Sequence, residues 1–285
     1  MAKKIIITGA NGFIGSNLAS FFSARGWSVV GLVRTMPEKT LPGIMYVKYD
    51  LLQEPDQGAF GEACCLIHCA YIRNDIEHNI AGTVRLLDAS RKHGLKQNIF
   101  LSSFSAHPDA VSKYGRQKLE LEGYFKGAGD CIVRAGVVLG HGGLFGEMSG
   151  HIRKGKRIPL IDGGRQPMQT IHIDDLCSII YKIADERLSG LYTLAEPSPV
   201  SYRQFFTAFC HTTGIKPKFV HVPFFLLDTA LRIAEFFRIR LPIARENVLG
   251  LKFMGARETE KDLQRLGVRV RSWKESLKLL SQQKN

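Results

Sequence analysis

Long apolar runs are missing from this 285-residue chain: no uninterrupted stretch is long enough to cross a bilayer. The opening MAKKIIITGANG has a basic start but only a few apolar residues before Thr8 and Gly9, too few for a signal-peptide core. A soluble cytoplasmic protein is therefore expected. Cysteine pairs at metal-ligand spacing are missing too. Cys64, Cys65, Cys69, Cys131, Cys177 and Cys210 are scattered, none forms C-x-x-C, and no histidine cluster follows them. That excludes the common zinc frameworks, so no metal is expected, and the thiols read as small buried hydrophobes in a reducing compartment. Low-complexity tracts and internal repeats are absent.

Acidic residues are in deficit. Asp and Glu number 26 against 39 Lys and Arg, a net charge of +13, which suggests anionic partners. The densest basic run, Arg153-Lys154-Gly155-Lys156-Arg157, has no interleaved aromatics, and no nucleic-acid-binding motif is found. Nucleic acid is not expected. A phosphate-bearing cofactor or substrate accounts for part of the charge, and solvated surface for most of the rest.

What is present is enough chain for one large domain or two smaller lobes. Lys4–Thr8 (KIIIT) is a short, apolar, β-branched run ending in glycine, the mark of a buried parallel strand. Phe13 to Arg25 carries apolar residues at helical spacing and stops at Gly26. Strands are predicted at Ser28–Val33, Met45–Tyr49, Leu66–Ala70, Asn98–Ser102 and Asp130–Val133, with helices over Asp75 to His93 and Ser112 to Phe125. This alternation implies an α/β fold, a doubly wound parallel sheet of Rossmann type with right-handed crossovers. Beyond Gly140 the regularity falls away: GHGGLFG and IDGGRQP read as glycine-rich loops. Helical patterns recur at Leu176–Asp185, Tyr202–Thr213, Phe224–Phe237 and Arg257–Leu266. The expected organisation is a dinucleotide-binding domain over 1–165 and a smaller, interleaved substrate lobe over 166–285, at the carboxyl ends of the strands. The apolar stretch Phe224–Leu241 reads as a core or dimer-interface helix, with a membrane-touching surface helix as the alternative.

Thr8-Gly9-Ala10-Asn11-Gly12-Phe13-Ile14-Gly15 lies between the first strand and the first helix. Gly9 permits a tight turn, Gly12 lets the backbone approach a pyrophosphate, and Gly15 allows close helix–strand packing. The helix start supplies unpaired N–H groups and positive dipole. The spacing is G-x-x-G-x-x-G, and the strand-before, helix-after context makes it a dinucleotide site. Val33 and Arg34 stand where an acid would hold the ribose hydroxyls of NAD. Arg34 suits a 2′-phosphate, so NADP(H) is favoured over NAD(H).

Four further elements follow in order: IHCAY at 67–71, Asn79 in NIAGTVRLLDAS, the pair Ser102-Ser103, and Tyr114-x-x-x-Lys118. With the glycine loop, this order resembles the short-chain dehydrogenase/reductase superfamily, most of all its NAD-dependent epimerase/dehydratase branch. VRAGVVLG (133–140) and IHIDDL (171–176) are similar to later elements of that branch, and the resemblance runs to about Ala195. It implies that Tyr114 is the acid/base, Lys118 its partner and Ser103 the hydroxyl that holds the substrate oxygen. It implies cofactor contacts from Gly9, Asn11, Gly12, Phe13, Ile14, Gly15, Asp50, Leu51, Ala70, Tyr71, Asn79, Ser102, Tyr114 and Lys118, and a homodimer. The chemistry stands without the name: a phenol near pKa 10 needs a neighbouring cation to act at neutral pH, and residues four apart share a helix face.

Four departures narrow the substrate. Ten residues separate Ser103 from Tyr114, where sugar-nucleotide relatives carry a longer loop. Phe104 and Ser105 follow the catalytic serine in place of the Asp-Glu pair of dehydratases. Ala135 and Val137 replace a proline and an asparagine, and Met168 replaces a diphosphate-gripping arginine. The expected activity is NAD(P)-dependent hydride transfer, by an oxidoreductase or epimerase, at a C–OH/C=O centre of a sugar-like or nucleotide-sugar substrate. The alternatives are an NADPH-dependent reductase of a non-sugar carbonyl and a non-catalytic NADP(H)-binding structural or sensor protein.

Overall fold

Ile5, Ile6 and Ile7 are all fully buried although successive side chains of a strand face opposite ways, so both faces of the first strand are covered. The KIIIT run forms β1 (Lys4–Thr8), an interior strand of a seven-stranded sheet. In a computed structural model describing residues 2–73, 75–155, 157–236, 245–253 and 255–282, the chain continues through α1 (Phe13–Ser23), β2 (Ser28–Val33), β3 (Ile44–Lys48) and β4 (Ala63–His68). Then come α2 (Ile76–Lys92), β5 (Gln97–Ser103), α3 (Lys113–Glu122), β6 (Asp130–Ala135), β7 (Val137–Leu139) and α4 (Gly143–Arg153). Next are β8 (Ile158–Ile161), β9 (Pro167–Met168), β10 (Thr170–His172), α5 (Ile173–Asp185), β11 (Gly190–Leu194) and β12 (Val200–Ser201). The described chain ends with α6 (Tyr202–Thr212), β13 (Phe219–Val222), α7 (Phe224–Phe236), α8 (Arg245–Lys252), α9 (Glu260–Leu266) and α10 (Trp273–Gln282).

The strand order is β11-β6-β5-β4-β1-β2-β3, and every neighbouring pair is parallel. The order reverses between β1 and β4, and that switch point is where such sheets open a crevice for ligands. The chain divides into two compact units that exchange sequence repeatedly. The first comprises Met1–Ser103, Gln117–Ala135 and Ile173–Leu194, and so contains the whole central sheet. Its core sets Ile6, Val30, Leu32 and Leu66 of the strands against Leu86 and Ala89 of α2. A second cluster joins Leu87, Phe100, Leu121 and Phe125, with the Phe100 and Phe125 rings stacked 4.8 Å apart. Elsewhere in this unit α1 packs on α5, and Phe22, Trp27 and Tyr181 meet in an aromatic cluster.

The second unit comprises Phe104–Arg116, Gly136–His172 and Ala195–Asn285. Three two-stranded sheets organise it: β7 with β10, β8 with β13, and β9 antiparallel to β12. They surround a core of Leu139, Phe145, Leu160, Phe205, Phe206, Phe209 and Leu277. A capping box starts α6, where Ser201 and Gln204 satisfy each other's backbone N–H groups.

The GHGGLFG stretch is not simply a loop. α4 starts within it at Gly143 and buries Phe145, Ser149 and Ile152. Gly146 lets its first turn settle on the His141 backbone, which a Cβ would meet at 3.1 Å. IDGGRQP forms a short turn of helix with Gly163 and Gly164 at positive φ. Phe224–Leu241 is helical as far as Phe236, with Phe225, Leu226 and Ile233 exposed and Leu231 buried. Residues 237–241 and Lys156 of the basic run lie outside the described residues. No helix among the described residues is long and apolar enough to cross a membrane.

Candidate active site

The glycine loop carries the chain from the end of β1 into α1. Gly9 has φ +65°, a left-handed conformation, and a Cβ there would come within 3.1 Å of Ala70 N. Gly9 N donates to Leu32 O at 2.9 Å, and Gly12 N donates to Gly9 O at 2.9 Å, which closes the turn against β2. Gly15 sits directly over that turn, where a Cβ would overlap the Gly9 carbonyl oxygen. Gly12 caps α1 without a side-chain hydrogen bond, and the first turn holds no acidic residue. The positive helix end is therefore offered to an anion across a bare backbone cradle that any larger residue would fill. This arrangement fits a dinucleotide pyrophosphate. Beside it, Asn11 Nδ2 donates to Thr35 O at 2.9 Å, which ties the loop to the backbone just past the exposed Arg34 after β2.

A buried relay holds the opposite wall. Thr8 Oγ1 accepts from the backbone N–H groups of Cys69 and Ala70, each at 3.0 Å. A hydroxyl has two acceptor sites and one proton, so that proton goes to His68 Nδ1, 2.8 Å away. Nε2 then carries the imidazole hydrogen and donates to Thr83 Oγ1 at 3.1 Å, and Thr83 donates onward to Asn79 O at 2.7 Å. The relay admits one tautomer of a neutral ring. Burial pulls the His68 pKa down to about 3, helped by the Lys118 charge. Asn79 clamps the next stretch: Oδ1 accepts from Ile72 N at 2.9 Å, and Nδ2 donates to Ile72 O at 2.7 Å and Asp75 O at 2.5 Å. Ala70 and Tyr71 are thus fixed from both sides, with Ala70 beside Gly9.

The third component is α3. Lys118 is buried, and its Nζ donates to Leu101 O on β5 at 2.9 Å. The ammonium lies 4.9 Å from the Tyr71 ring centroid and 4.6 Å from that of Phe100, favourable cation–π distances. Burial lowers its pKa to about 8, against the opposing pull of Cys69 and Glu122. Glu122, one turn further along α3, is itself buried and accepts from Ser102 Oγ at 2.5 Å. Arg134 on β6 grips it with both nitrogens, Nε to Oε1 at 2.9 Å and Nη2 to Oε2 at 2.6 Å. Tyr71 donates its hydroxyl hydrogen to Gln117 Oε1. Tyr114 precedes Lys118 by four residues in the same helix and is 40% exposed, while Ser103 closes β5. Ser112 starts the helix by accepting from Gly115 N at 3.1 Å, and Arg116 secures the preceding turn through Val111 O at 2.7 Å. Gly115 has no room for a side chain, because a Cβ would overlap Ser105 O.

The first unit thus gathers Gly9, Gly12, Gly15, Ala70, Tyr71, Asn79 and Lys118 around the β1/β4 switch point. Asp50 closes the turn after β3, its Oδ1 accepting from Leu52 N at 3.1 Å. Leu51 is buried in the sheet core, its carbonyl accepting from Arg85 Nη2 at 2.5 Å. The Ser102 hydroxyl is engaged by Glu122 and not by the glycine loop. Sequence reasoning passed over His68, Thr8, Glu122 and Arg134. Only Glu122 carried a local signal, its place four residues after Lys118 on one helix face.

A model of the NAD dependent epimerase/dehydratase family matches residues 5–193. The chain is 26% identical over 286 residues, 87% of its length and 85% of the relative's, to the 4-hydroxy-2-methyl-3-oxo-4-farnesyl-3,4-dihydroquinoline-1-oxide ketoreductase of Stigmatella aurantiaca. Among solved structures it resembles a UDP-glucose 4-epimerase from Thermotoga maritima crystallised with UDP-glucose. The TM-score is 0.75 at 18% identity, over 98% of this chain and 97% of the other. It also resembles the human epimerase family protein SDR39U1 with NADPH, at TM-score 0.73 and 17% identity, over 98% and 99% of the two chains.

Proposed function

This chain belongs to the NAD dependent epimerase/dehydratase family, and from that premise we propose that it is an NADP(H)-preferring oxidoreductase that interconverts a carbonyl and its alcohol. The observation that carries the reading is the Lys118 ammonium, buried beside Tyr71 and Phe100 and tethered to Leu101 O in the strand that ends at Ser103. A buried, fixed cation one helical turn from a tyrosine is what a phenol needs in order to exchange its proton near neutral pH.

The dinucleotide, when bound, supplies or takes up hydride at its nicotinamide ring. The chain's own residues do the rest. Gly9, Gly12 and Gly15 leave the backbone bare for the pyrophosphate, and the start of α1 offsets its charge. Arg34 answers the 2′-phosphate. An ammonium has three N–H groups, and Leu101 O takes one of those of Lys118, which leaves donors for a ribose hydroxyl. During reduction the C=O π bond breaks as the carbon gains hydride, and the freed electron pair on oxygen takes the Tyr114 proton. Ser103 holds that oxygen through its hydroxyl. Oxidation runs the same transfers backwards. Phe104 and Ser105 carry no carboxyl group, so the water elimination of a dehydratase is not part of this reading.

The test is a carbonyl panel followed by NADPH absorbance, with Tyr114→Phe as the decisive variant. We expect kcat to fall at least ~100-fold, the usual contribution of a positioned acid/base, with NADPH affinity unchanged by fluorescence titration. Wild-type turnover in Tyr114→Phe refutes the mechanism.

A further inference from the structure

We propose that the second unit carries a carboxylate-binding pocket built on Arg257, and that the substrate is an oxo acid or hydroxy acid with a hydrocarbon body. The assignment of this ligand as substrate rests on the oxidoreductase reading above; the binding of a carboxylate does not.

A cavity of about 40 Å³ lies between the segment that leads into α3 and the segment running from α8 to Arg257. Phe104, Val111, Leu249 and Phe253 form its apolar lining, and Ser105, His107, Ser112 and Arg257 its polar lining. No Asp or Glu occurs among the described lining residues. Arg257 Nε is shielded from solvent, and among the described residues nothing accepts its hydrogen. Buried donors in folded proteins have partners as a rule, so a guanidinium that lines a cavity and keeps one N–H without an acceptor points to an absent acceptor at that side chain.

The backbone that carries this side chain is held in place. Arg257 N donates to Gln169 Oε1 at 2.6 Å, and Gln169 Nε2 donates back to Arg257 O at 3.0 Å. Gln169 is buried, and the same amide nitrogen reaches Glu196 O and Pro197 O at 3.0 Å. Gly255, two residues earlier, adds no side chain, and a Cβ there would stand 3.8 Å from Arg257 Nη2. The pocket wall is also continuous with the acid/base helix, because Ser112 caps α3 two residues before Tyr114.

Charge and size select the ligand. The described lining holds one arginine, one histidine and no lysine, and the arginine alone carries a permanent charge, which balances one negative charge, whereas a phosphate carries up to two. A space of about 40 Å³ admits the equivalent of a few waters, enough for a carboxylate. The four apolar residues then receive a hydrocarbon chain or ring.

Isothermal titration of the 285-residue chain without dinucleotide tests the site. The probes are acetate, butanoate, hexanoate and octanoate, their primary amides, and inorganic phosphate. We expect affinity to rise with chain length and each acid to bind about tenfold or more tighter than its amide, the worth of a charge-assisted hydrogen bond. Arg257→Gln should erase the preference for acid over amide, and Arg257→Lys should retain part of it, both with wild-type melting temperatures. The proposal is overturned if no acid binds, if acids and amides bind alike, if phosphate binds tighter than hexanoate, or if Arg257→Gln keeps the preference. A separate NADPH titration of the wild type tests the oxidoreductase reading, so the two ideas fail by different results.

Discussion

His68 shows how a single side chain ties together three elements beside the glycine loop. It ends β4, accepts a hydrogen bond from Thr8 at the end of β1 and donates one to Thr83 on α2, with its ring stacked 5.7 Å from Phe100. Every donor and acceptor in the relay is already used by a neutral ring, so protonation has to break it. The folded pKa of about 3 lies below the ordinary 6.5, and the unfolded chain therefore binds the extra proton first as pH falls. The contribution is complete above pH 6.5 and is lost progressively towards pH 3. We expect the unfolding free energy, measured in urea, to drop by up to ~1.4 kcal/mol per pH unit in that window from this residue, or about 2 kcal/mol by pH 5. His68→Leu should be less stable at pH 7 but flatter with pH. An equally steep profile in that variant rules out His68 as the source. The sequence displayed His68 inside IHCAY without revealing this role, because its partners lie 60 and 15 residues away. That one helix carries both Tyr114 and Lys118 was legible for the opposite reason, since they lie one turn apart in sequence. The bidentate hold of Arg134 on Glu122 needs β6 to lie beside β5, a long-range fact that no local spacing encodes.

At the scale of elements, the strands and helices as far as Asp130 follow directly from apolar runs and glycine stops, within a few residues at their ends. The same rules missed α4, since three glycines disguise a helix whose buried face is only Phe145, Ser149 and Ile152. They also missed β11, which returns to pair with β6 at the far edge of the sheet. Its sequence GLYTL alternates buried and half-buried residues, but pairing partners 59 positions away are invisible to periodicity. The β1–α1 junction is where element geometry becomes most demanding, because Gly15 leaves no space above the Gly9 carbonyl. We expect Gly15→Ala to push α1 off the turn, costing about 1–3 kcal/mol as overpacked sites do. NADPH affinity should fall about tenfold or more as the N–H groups of the helix start lose their aim. Circular dichroism melting and fluorescence titration measure the two effects. A variant with wild-type affinity for the dinucleotide would show that the loop is not the pyrophosphate cradle.

For the whole molecule, the net charge of +13 acts before any contact is made. A dinucleotide phosphate is strongly anionic, and a cationic protein draws it in over distances comparable to the Debye length, ~10 Å at 0.1 M salt. Encounter should therefore be fast at low ionic strength and slow as salt screens the field. NADPH carries a 2′-phosphate that NADH lacks, so its association rate should fall more steeply with salt. Stopped-flow fluorescence with both cofactors, from about 10 mM to about 500 mM salt, separates the general field from the local one at Arg34. We expect about a tenfold decrease for NADPH over this range, at the lower end of electrostatic steering effects. Arg34→Ala should narrow the gap between the two slopes while leaving the NADH rate almost unchanged, since +12 of the +13 remains. If the slopes already coincide in the wild type, Arg34 does not read the 2′-phosphate, and the preference for NADP(H) falls with it.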